Sequence, residues 1–417
     1  MNLFVRDKRT TAVFALAAIC GAAVACADAT VENDGPDPVN ETGDAGDADA
    51  GSTDSPSPMD DGGADGDGSS LRDAGDDGPK SLCTVHGWCH TEVPREQTLR
   101  AVWGDGTGVV WTVSEQGNIL RWDGAKWSTV YTDPGKLFTI WGSGPTDIWV
   151  GGTNGLFHGT GTTSATLSWT KFTTDGNMPV LSVWGSAAND FWAVGNDGTK
   201  SRVFHYAGPP GDPTASGWTV DPVSTKVVGK LVKIWGNSPT DIWTVGSTRG
   251  SWGQATPVIW HRAPDGDGIP AFIEDTSFDY FFENAVYGGF TADPNNILWF
   301  GKYGGGAPYL YWGRRADSSE PYEWNDAFSW RIPGHWSCGS EVHNGVLAFA
   351  PNDVWTYGEF GRLCHFDGTR WDLAAVSIEN VPLENVFWDA WAPAGDASQM
   401  WVVGQGVAIR KQPTSRP

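Results

Sequence analysis

The sequence predicts an all-β fold, a seven-bladed β-propeller of four-stranded antiparallel blades, and two observations carry this prediction. The first is an internal repeat in which an apolar strand ends in Trp-Gly, a turn contains Pro or Asn with Asp, and a second strand contains Trp. The second is composition, because all 25 Trp residues lie after residue 81 in a chain of 417 residues with 55 Gly. The repetitive part is therefore expected to fold as residues 81–417.

The repeat is found seven times, and its spacing matches the length of a four-stranded blade. Four clear copies are VWGDGTGVVWTV (102–113), IWGSGPTDIWVGG (140–152), VWGSAANDFWAVG (183–195) and IWGNSPTDIWTVG (234–246). Three degenerate copies cover 286–301, 348–358 and 390–404. The second-strand Trp residues, which are separated by 38 to 56 residues, are Trp111, Trp149, Trp192, Trp243, Trp299, Trp355 and Trp401.

The rest of each unit predicts a third strand and a fourth strand. Third strands are expected at NILRW (118–122), GLFHG (155–159), RVFHY (202–206) and RLCHF (362–366). Fourth strands are expected near Trp127, Trp169, Trp218, Phe272, Trp330 and Trp371, one short of the number of blades. Because His86-Gly87-Trp88 is similar to Ser216-Gly217-Trp218, the N-terminal strand is expected to pair near 406–411 and close the ring, which removes the exposed edge of an open array.

The turn before the fourth strand reads Asp123-Gly124-Ala125-Lys126-Trp127 in the first unit and Asp367-Gly368-Thr369-Arg370-Trp371 in a later one. This DG-x-x-W pattern resembles exported bacterial propeller repeats of the Trp-rich, tectonin-like kind, over nearly all of residues 86–411. The resemblance implies the architecture and no activity, because one fold hosts many functions. The Ser-x-Asp-x-Gly-x-Thr-Trp box of sialidase-type propellers is absent.

The N-terminal part predicts export. Basic residues precede an apolar run from Ala12 to Ala25, the layout of a signal peptide over residues 1–25. Ala23-Val24-Ala25-Cys26 resembles a bacterial lipobox, which makes Cys26 a candidate lipidation site, with plain secretion as the alternative. Residues 27–80 hold 16 acidic side chains against Arg72 and Lys80 and no aromatic residue, so residues 26–80 are expected to be a disordered linker.

The formal net charge of −23 excludes a typical nucleic-acid binder, since such proteins cluster Lys and Arg. The expected partners are a glycan or a protein, with membrane contact through an N-terminal lipid only, and no cofactor is expected. The oligomeric state stays open. The cell envelope or the extracellular space is the expected location.

Besides Cys26, four cysteines follow the signal peptide, and in an exported chain they predict two disulfides. Three pairings are possible, and local spacing favours Cys83 with Cys89 and Cys338 with Cys364. A zinc site is the alternative, because His residues lie beside these cysteines: His86, His90, His335 and His365.

A repeated carboxylate, Asp147, Asp190, Asp241 and Asp353, precedes an apolar residue and Trp in four units. One active site needs unlike residues that converge, so the repeated Asp is interpreted as turn chemistry. The repeated Trp residues are interpreted as packing between blades. Asp265, Asp267 and Glu274 supply alternating oxygen atoms and are weak candidates for the ligands of a cation. The alternative interpretation of this segment is a DG hairpin turn.

The motifs of acyl transfer, zinc proteolysis and phosphate binding are absent from the sequence. Unlike acids and bases expected on one face are weak catalytic candidates: Glu283, Glu341, His343 and Glu359. Two adjacent blades have long connections between the second and third strands, 246–257 and 301–308. Their side chains combine aromatic surface with hydrogen-bond donors, as a ligand site requires: Arg249, Trp252, Gln254, Lys302 and Tyr303.

The sequence thus favours a surface-tethered or secreted, non-enzymatic recognition module that binds a glycan or a protein through one propeller face. The alternatives are an extracellular polysaccharide-active hydrolase or lyase and a scaffold component of the cell envelope.

Overall fold

A computed structural model describes residues 82–412, except 85–86, 173, 175–176, 210–216, 250–254, 265–266, 279–283, 294, 304–307, 318–319, 330, 340–342, 375–376, 379–380 and 394–395. The predicted signal peptide, Cys26 and the acidic linker lie outside these residues. Within them, no helix has the length and apolar character needed to cross a membrane. The one α-helix of the described residues, α1 (His335–Gly339), is short.

The described residues form seven four-stranded antiparallel sheets, six of which are built from four consecutive strands. The first strand, β1 (Trp88–Thr91), joins the last sheet. Blade one contains β2 (Leu99–Gly104), β3 (Val110–Ser114), β4 (Asn118–Trp122) and β5 (Trp127–Thr132). Blade two contains β6 (Leu137–Gly144), β7 (Asp147–Gly152), β8 (Gly155–Thr160) and β9 (Ser168–Phe172). Blade three contains β10 (Val180–Ala187), β11 (Asp190–Asn196), β12 (Ser201–Tyr206) and β13 (Trp218–Val220).

The next three blades repeat this order. Blade four contains β14 (Lys230–Ser238), β15 (Asp241–Arg249), β16 (Ala255–Pro264) and β17 (Pro270–Glu274). Blade five contains β18 (Asn284–Asp293), β19 (Asn296–Tyr303), β20 (Pro308–Arg314) and β21 (Glu323–Asp326). Blade six contains β22 (His343–Ala350), β23 (Asp353–Gly358), β24 (Leu363–Phe366) and β25 (Trp371–Leu373). A two-stranded hairpin follows, β26 (Ser377–Ile378) with β27 (Val381–Pro382).

The seventh sheet joins the two ends of the repetitive region. It contains β28 (Phe387–Trp391), β29 (Trp401–Gly404) and β30 (Val407–Lys411), and β1 pairs antiparallel with β30. The register places Trp88 opposite Lys411 and Thr91 opposite Ala408, within the segment predicted for the closing strand. The N-terminal strand therefore supplies the fourth strand that the last unit lacks.

The first strands of neighbouring sheets contact one another in sequence, from β2 to β6 and onward to β28, and β28 contacts β2 again. Seven sheets arranged in this way form a closed ring with the first strands innermost. The all-β propeller with four-stranded antiparallel blades predicted from the repeat is confirmed.

The hydrophobic core is divided among the junctions between blades. Each of seven buried clusters in the described residues combines side chains from two neighbouring blades. Trp111, Trp149, Trp192 and Trp243 are among the most deeply buried side chains. The interpretation of the repeated Trp residues as packing between blades is therefore correct for these four.

The Trp-Gly pair of the repeat has a specific role at the innermost strands. A Cβ atom built on Gly142 would lie 2.7 Å from the Trp103 indole of the preceding blade, and one on Gly185 would lie 2.6 Å from Trp141. The same contact joins Gly236 with Trp184 at 2.9 Å, and Gly104 with Trp391 at 2.6 Å. Each Trp thus lies against the Gly of the next blade, and the last of these contacts closes the ring between blades seven and one.

Two details of blade five differ from the prediction. Its fourth strand is β21, which contains Trp324 and ends before Trp330, because β20 pairs with the chain sooner than the aromatic spacing indicated. Asn296 pairs with Asp293 as Asp147 pairs with Gly144. Leu298, two residues after Asn296, therefore occupies the repeat position assigned to Trp299.

Both favoured disulfides are present, Cys83–Cys89 and Cys338–Cys364. The first lies at the start of the closing strand. The second connects α1 to β24, so it fixes the connection that enters blade six. Because both cysteine pairs are used, the zinc alternative is wrong for them, and the described residues contain no group of three His, Cys, Asp or Glu side chains suited to a metal ion.

The Trp-Gly contact predicts the effect of a single methyl group. Gly142→Ala should lower the free energy of unfolding by about 1 to 3 kcal/mol, the usual cost of overpacking, because its Cβ would collide with Trp103. Gly144→Ala, in the same strand, is the matched control, since a Cβ there meets no atom within 4 Å. Chemical denaturation of both variants measures the difference, and equal stabilities would contradict the packing role of the glycine.

Candidate functional site

A β-bulge interrupts each of the seven first strands at the same place in the blade. The pairing of the first strand with the second skips one residue near the strand's start in every blade. Bulges re-aim side chains and are frequent next to functional sites. We call the seven skipped residues the bulge ring: Arg100, Phe138, Leu181, Val232, Tyr287, Asn344 and Trp388.

Five residues of the bulge ring line a pocket of about 300 Å³ at the centre of the propeller, the central pocket: Arg100, Phe138, Leu181, Asn344 and Trp388. Its lining includes residues from the first strand of every blade and Tyr357 from a second strand. The charged and polar groups that matter most are Arg100, Lys233, Asn344, Tyr357 and Asp389. The lining also contains four aromatic rings, those of Phe138, Trp184, Trp235 and Trp388.

Asp389 connects three blades from within this pocket. Its Oδ2 accepts the backbone N–H of Val102 of blade one at 2.9 Å, and its Oδ1 accepts the hydroxyl of Tyr357 of blade six at 3.2 Å. Burial raises the pKa of Asp389, while the nearby Lys233 and the hydrogen bonds act in the opposite direction. Burial, with the Asp389 charge, also raises the pKa of Tyr357 well above its usual value. The hydrogen bonds of Asp389 to Tyr357 and to Val102 therefore hold blades six, seven and one together.

Arg100 has its own partners at the bulge ring. Its guanidinium lies 3.9 Å from the centre of the Trp388 ring, and its Nη1 lies 3.3 Å from Oε1 of Glu115. Burial lowers the pKa of Arg100, but Glu115 and Asp389 oppose this, and an arginine stays protonated. The cation and the indole form one flat surface at the pocket.

Lys233 differs from Arg100, because its ammonium forms no ion pair within the described residues. It lines the central pocket and influences the pKa of Asp389 through charge alone. The pocket therefore offers a cation whose hydrogen-bonding capacity is not used by the described part of the protein. Such a group suits a polar or anionic feature of a ligand.

The repeated Asp residues belong to a network that the sequence interpretation covered only in part. Each begins the second strand after the hairpin turn, as expected, but each also accepts a hydrogen bond from a His on the third strand. The Nε2 to Oδ1 distances are 2.7 Å for His205–Asp190, 2.7 Å for His261–Asp241 and 2.8 Å for His365–Asp353. In blade two, His158 contacts Asp147 in the same way.

A Trp completes each of these networks. The His pairs across the strands with the Trp two residues after the Asp, and in three blades the two rings stack at 3.8 Å. Four similar networks in four blades cannot form one active centre, so their role is to hold second and third strands together. The signal was present in the sequence, because the His recurs in GLFHG, RVFHY and RLCHF.

The four weak catalytic candidates do not assemble into an acid–base site. Glu283 and Glu341 lie outside the described residues. His343 is buried against Phe328, its Nε2–H donates to the carbonyl of Cys338, and burial lowers its pKa to about 4. Glu359 lies in the turn after β23. His343 therefore stays neutral near pH 7 and fixes the connection that enters blade six.

The predicted ligand residues lie at the ends of two extended hairpins. β15 continues to Arg249, which pairs with Ala255, and β19 continues through Lys302, which pairs with Pro308. The connections are therefore shorter than predicted, because the strands extend into them. Trp252 and Gln254 lie outside the described residues, and Tyr303 ends β19. These hairpins share a propeller face with the bulge ring, because each first strand starts beside the end of the second.

The predicted cation ligands are also separated by a hairpin. Asp265 lies outside the described residues, Asp267 lies in the turn between β16 and β17, and Glu274 ends β17 opposite Trp260. Gly268 has a positive φ of 77°, as a hairpin turn requires. Hairpin chemistry accounts for this segment.

No protein-family model matches the chain, and no curated protein does. Several solved structures have a similar fold. YCF48 bound to D1 peptide has 14% identity and a TM-score of 0.55, covering 80% of this chain and 100% of that one. A catalytically inactive virginiamycin B lyase from Staphylococcus aureus with quinupristin has 12% identity and a TM-score of 0.54, covering 77% and 97%. The RRP9 WD40 repeats have 8% identity and a TM-score of 0.53, covering 79% and 98%. At such identities the similarity shows the propeller fold alone.

The Asp–His–Trp network predicts a pH-dependent contribution to stability. Burial alone would raise the pKa of Asp190, but its hydrogen bonds from His205, Ser186 and Trp192 lower it overall. Because the folded pKa is below the unfolded value, the contribution is present above about pH 4 and is lost as the pH falls through the folded pKa. Asp190→Asn should therefore cost about 2 kcal/mol at neutral pH, and less in acid.

Urea denaturation of wild type and variant between neutral and acidic pH tests this. Asp372→Asn is the control, since this exposed carboxylate forms a surface ion pair with Arg370 and with no other described residue. A cost for Asp190→Asn that stays constant down to acidic pH would contradict the charge-dependent role.

Proposed function

We propose that this protein is an exported, non-enzymatic recognition module, a closed seven-bladed propeller that binds a segment of a partner protein at the central pocket. The observation that supports this most strongly is the bulge ring, because five of its seven residues, each from a different blade, line the same central pocket. A structural repeat alone does not need unlike side chains there. The ring nevertheless combines a cation, an amide, aromatic rings and aliphatic groups.

The chemistry of the pocket favours a protein segment over a glycan. Lys233 and Arg100 supply positive charge, Asn344 supplies an amide, and the Trp388 ring supplies a flat apolar surface. Peptides present carboxylates, amides and apolar side chains together, and such mixtures with aromatic anchors are typical of protein interfaces. The similar folds include one bound to a peptide and a lyase with quinupristin, so a peptide-like ligand has a structural precedent.

The arrangement also favours binding over catalysis. Asp389, the carboxylate in the pocket, is engaged by Tyr357 and by backbone N–H of Val102. A general base needs a free position within hydrogen-bond reach of a substrate proton. Of the polar side chains in the pocket, Lys233 remains for a ligand, since Arg100 pairs with Glu115 and the Nδ2–H of Asn344 donates to the carbonyl of Phe387. Lys233 can donate hydrogen bonds and neutralise charge.

Peptide-display selection on the purified protein, followed by affinity measurement of the enriched peptides, tests the proposed site. Lys233→Met should raise the Kd of a selected peptide by about 10-fold or more, the effect of losing an anchor of 1.4 kcal/mol or more. Lys126→Met is the matched control, because Lys126 is exposed in a turn between third and fourth strands, on the opposite face. Both variants should melt like the wild type.

Equal affinities for the two lysine variants would contradict the central pocket as the site. Trp252→Ala and Tyr303→Ala would then test the hairpins predicted from the sequence, and a glycan array the carbohydrate alternative. Mass spectrometry of the peptide after incubation adds a second readout. An intact peptide is expected, whereas cleavage or loss of a fragment would show that the protein is an enzyme.

We also propose that Cys26 carries a lipid that tethers the module to the cell envelope. Two disulfides in the described residues fit an oxidising, exported environment. The wild-type protein should sediment with membranes, and Cys26→Ser should release it into the soluble fraction. Cys20→Ser, within the apolar run, is the control and should leave the protein in membranes. Soluble wild-type protein without a lipid mass at its N-terminus would support plain secretion.

A further inference from the structure

The junction between blades five and six contains a second pocket, with a volume of about 250 Å³, on the outer side of the ring. Its walls include Trp312 and Arg314 of blade five, and Phe366 and Trp371 of blade six, with Asp326 at the rim. We call it the junction pocket. None of these residues belongs to the bulge ring or the central pocket.

The equivalent junction between blades seven and one is filled by aromatic side chains. There Trp122, Trp127 and Trp401 pack against one another with ring centres 5.5 to 5.6 Å apart. In blade six, Phe366 and Trp371 take the places of Trp122 and Trp127, since both pairs flank the same DG-x-x turn. The smaller Phe366 ring leaves part of this space unfilled.

A side-chain cation lies over the rings of both neighbouring blades at three other junctions. Arg410 lies 5.3 Å from the Trp122 ring and 5.8 Å from the Trp401 ring. Arg262 lies 5.0 Å from Trp192 and 6.0 Å from Phe272, and Lys411 lies over Trp355 and Trp88. Attraction between a cation and an aromatic face is therefore a repeated feature of these junctions.

The junction between blades five and six departs from this pattern. Trp312 pairs with Leu298 in blade five, as Arg410 pairs with Trp401 in blade seven. An indole therefore occupies the position at which blade seven has a cation. Arg314 lies 4.6 Å from the Trp312 ring of its own blade. Within the described residues, no cation lies over Phe366 or Trp371.

The rim of the junction pocket contains one carboxylate, Asp326. One oxygen of Asp326 accepts the backbone N–H of Phe328 at 2.8 Å, and Asp326 forms no ion pair in the described part of the chain. Glu323, on the same strand, is the cross-strand partner of Arg314. Asp326 and Arg314 are the charged side chains of the pocket lining, so Asp326 is the group at the rim that can attract a positive ligand.

We propose that the junction pocket binds an alkylammonium group, a methylated ammonium held between the aromatic faces of blade six and the Asp326 carboxylate. Aromatic walls attract such a cation more strongly when it is desolvated, and a nearby carboxylate adds to the attraction. The pocket lies below the range of about 300 to 1,000 Å³ that holds drug-sized ligands, so it suits one small head group. This site is independent of the central pocket.

Choline is the probe, and its neutral isostere 3,3-dimethylbutan-1-ol is the control ligand. Titration of the full chain, followed by Trp fluorescence, should show saturable choline binding, with the isostere at least about 10-fold weaker because it lacks the charge. Phe366→Trp should abolish choline binding without lowering the melting temperature, because the larger ring reproduces the filled junction. Asp326→Asn should weaken binding about 10-fold.

Two matched variants separate this site from other effects. Asp105→Asn, in a turn of blade one, and Lys233→Met, in the central pocket, should both bind choline like the wild type. Three results would each overturn the proposal: no saturable choline response, equal affinity for choline and its isostere, or unchanged choline binding in Phe366→Trp.

Discussion

The contact between a Trp of one first strand and the Gly of the next is the constraint on which four junctions of the ring depend, including the one that closes it. First strands lie closest to the propeller axis, where the blades are most crowded, so a side chain as large as indole fits only against a residue without Cβ. The separations of 2.6 to 2.9 Å calculated for an added Cβ leave no space for alanine at Gly104, Gly142, Gly185 or Gly236. The same contact joins β28 to β2, so it acts together with the pairing of β1 and β30 at the point where the ring closes.

The propeller has two kinds of repeated feature, one with a structural role and one whose side chains are available to a ligand. The Asp–His–Trp networks repeat in four blades and are used within the blades. The bulge ring also repeats, but as a backbone irregularity whose side chains differ from blade to blade. A repeated backbone with unlike side chains gives one asymmetric surface at the centre of a nearly symmetric ring, and such a surface can discriminate between partners.

The sequence predicted the propeller, the closing strand and both disulfides because each depends on a pattern that local chemistry enforces. Trp-Gly and the DG-x-x-W turn recur at blade spacing, and the cysteines of each pair are near in sequence. The bulge ring had no such signal, since Arg100, Leu181 and Trp388 share no residue type and a bulge is visible only in the strand pairing. The error at Trp330 has the same origin, because Trp324 is an equally good aromatic and the pairing of β20 with β21 selects it.

Hydrogen exchange measured by mass spectrometry, with and without a display-selected peptide, tests most directly whether one ligand engages the bulge ring as a unit. Binding at the central pocket should slow exchange at the starts of several first strands together, including those at Arg100, Asn344 and Trp388, which are far apart in sequence. The outer strands β5, β13 and β25 should exchange as in the free protein. Protection confined to a single blade, or to the hairpins of blades four and five, would contradict the account.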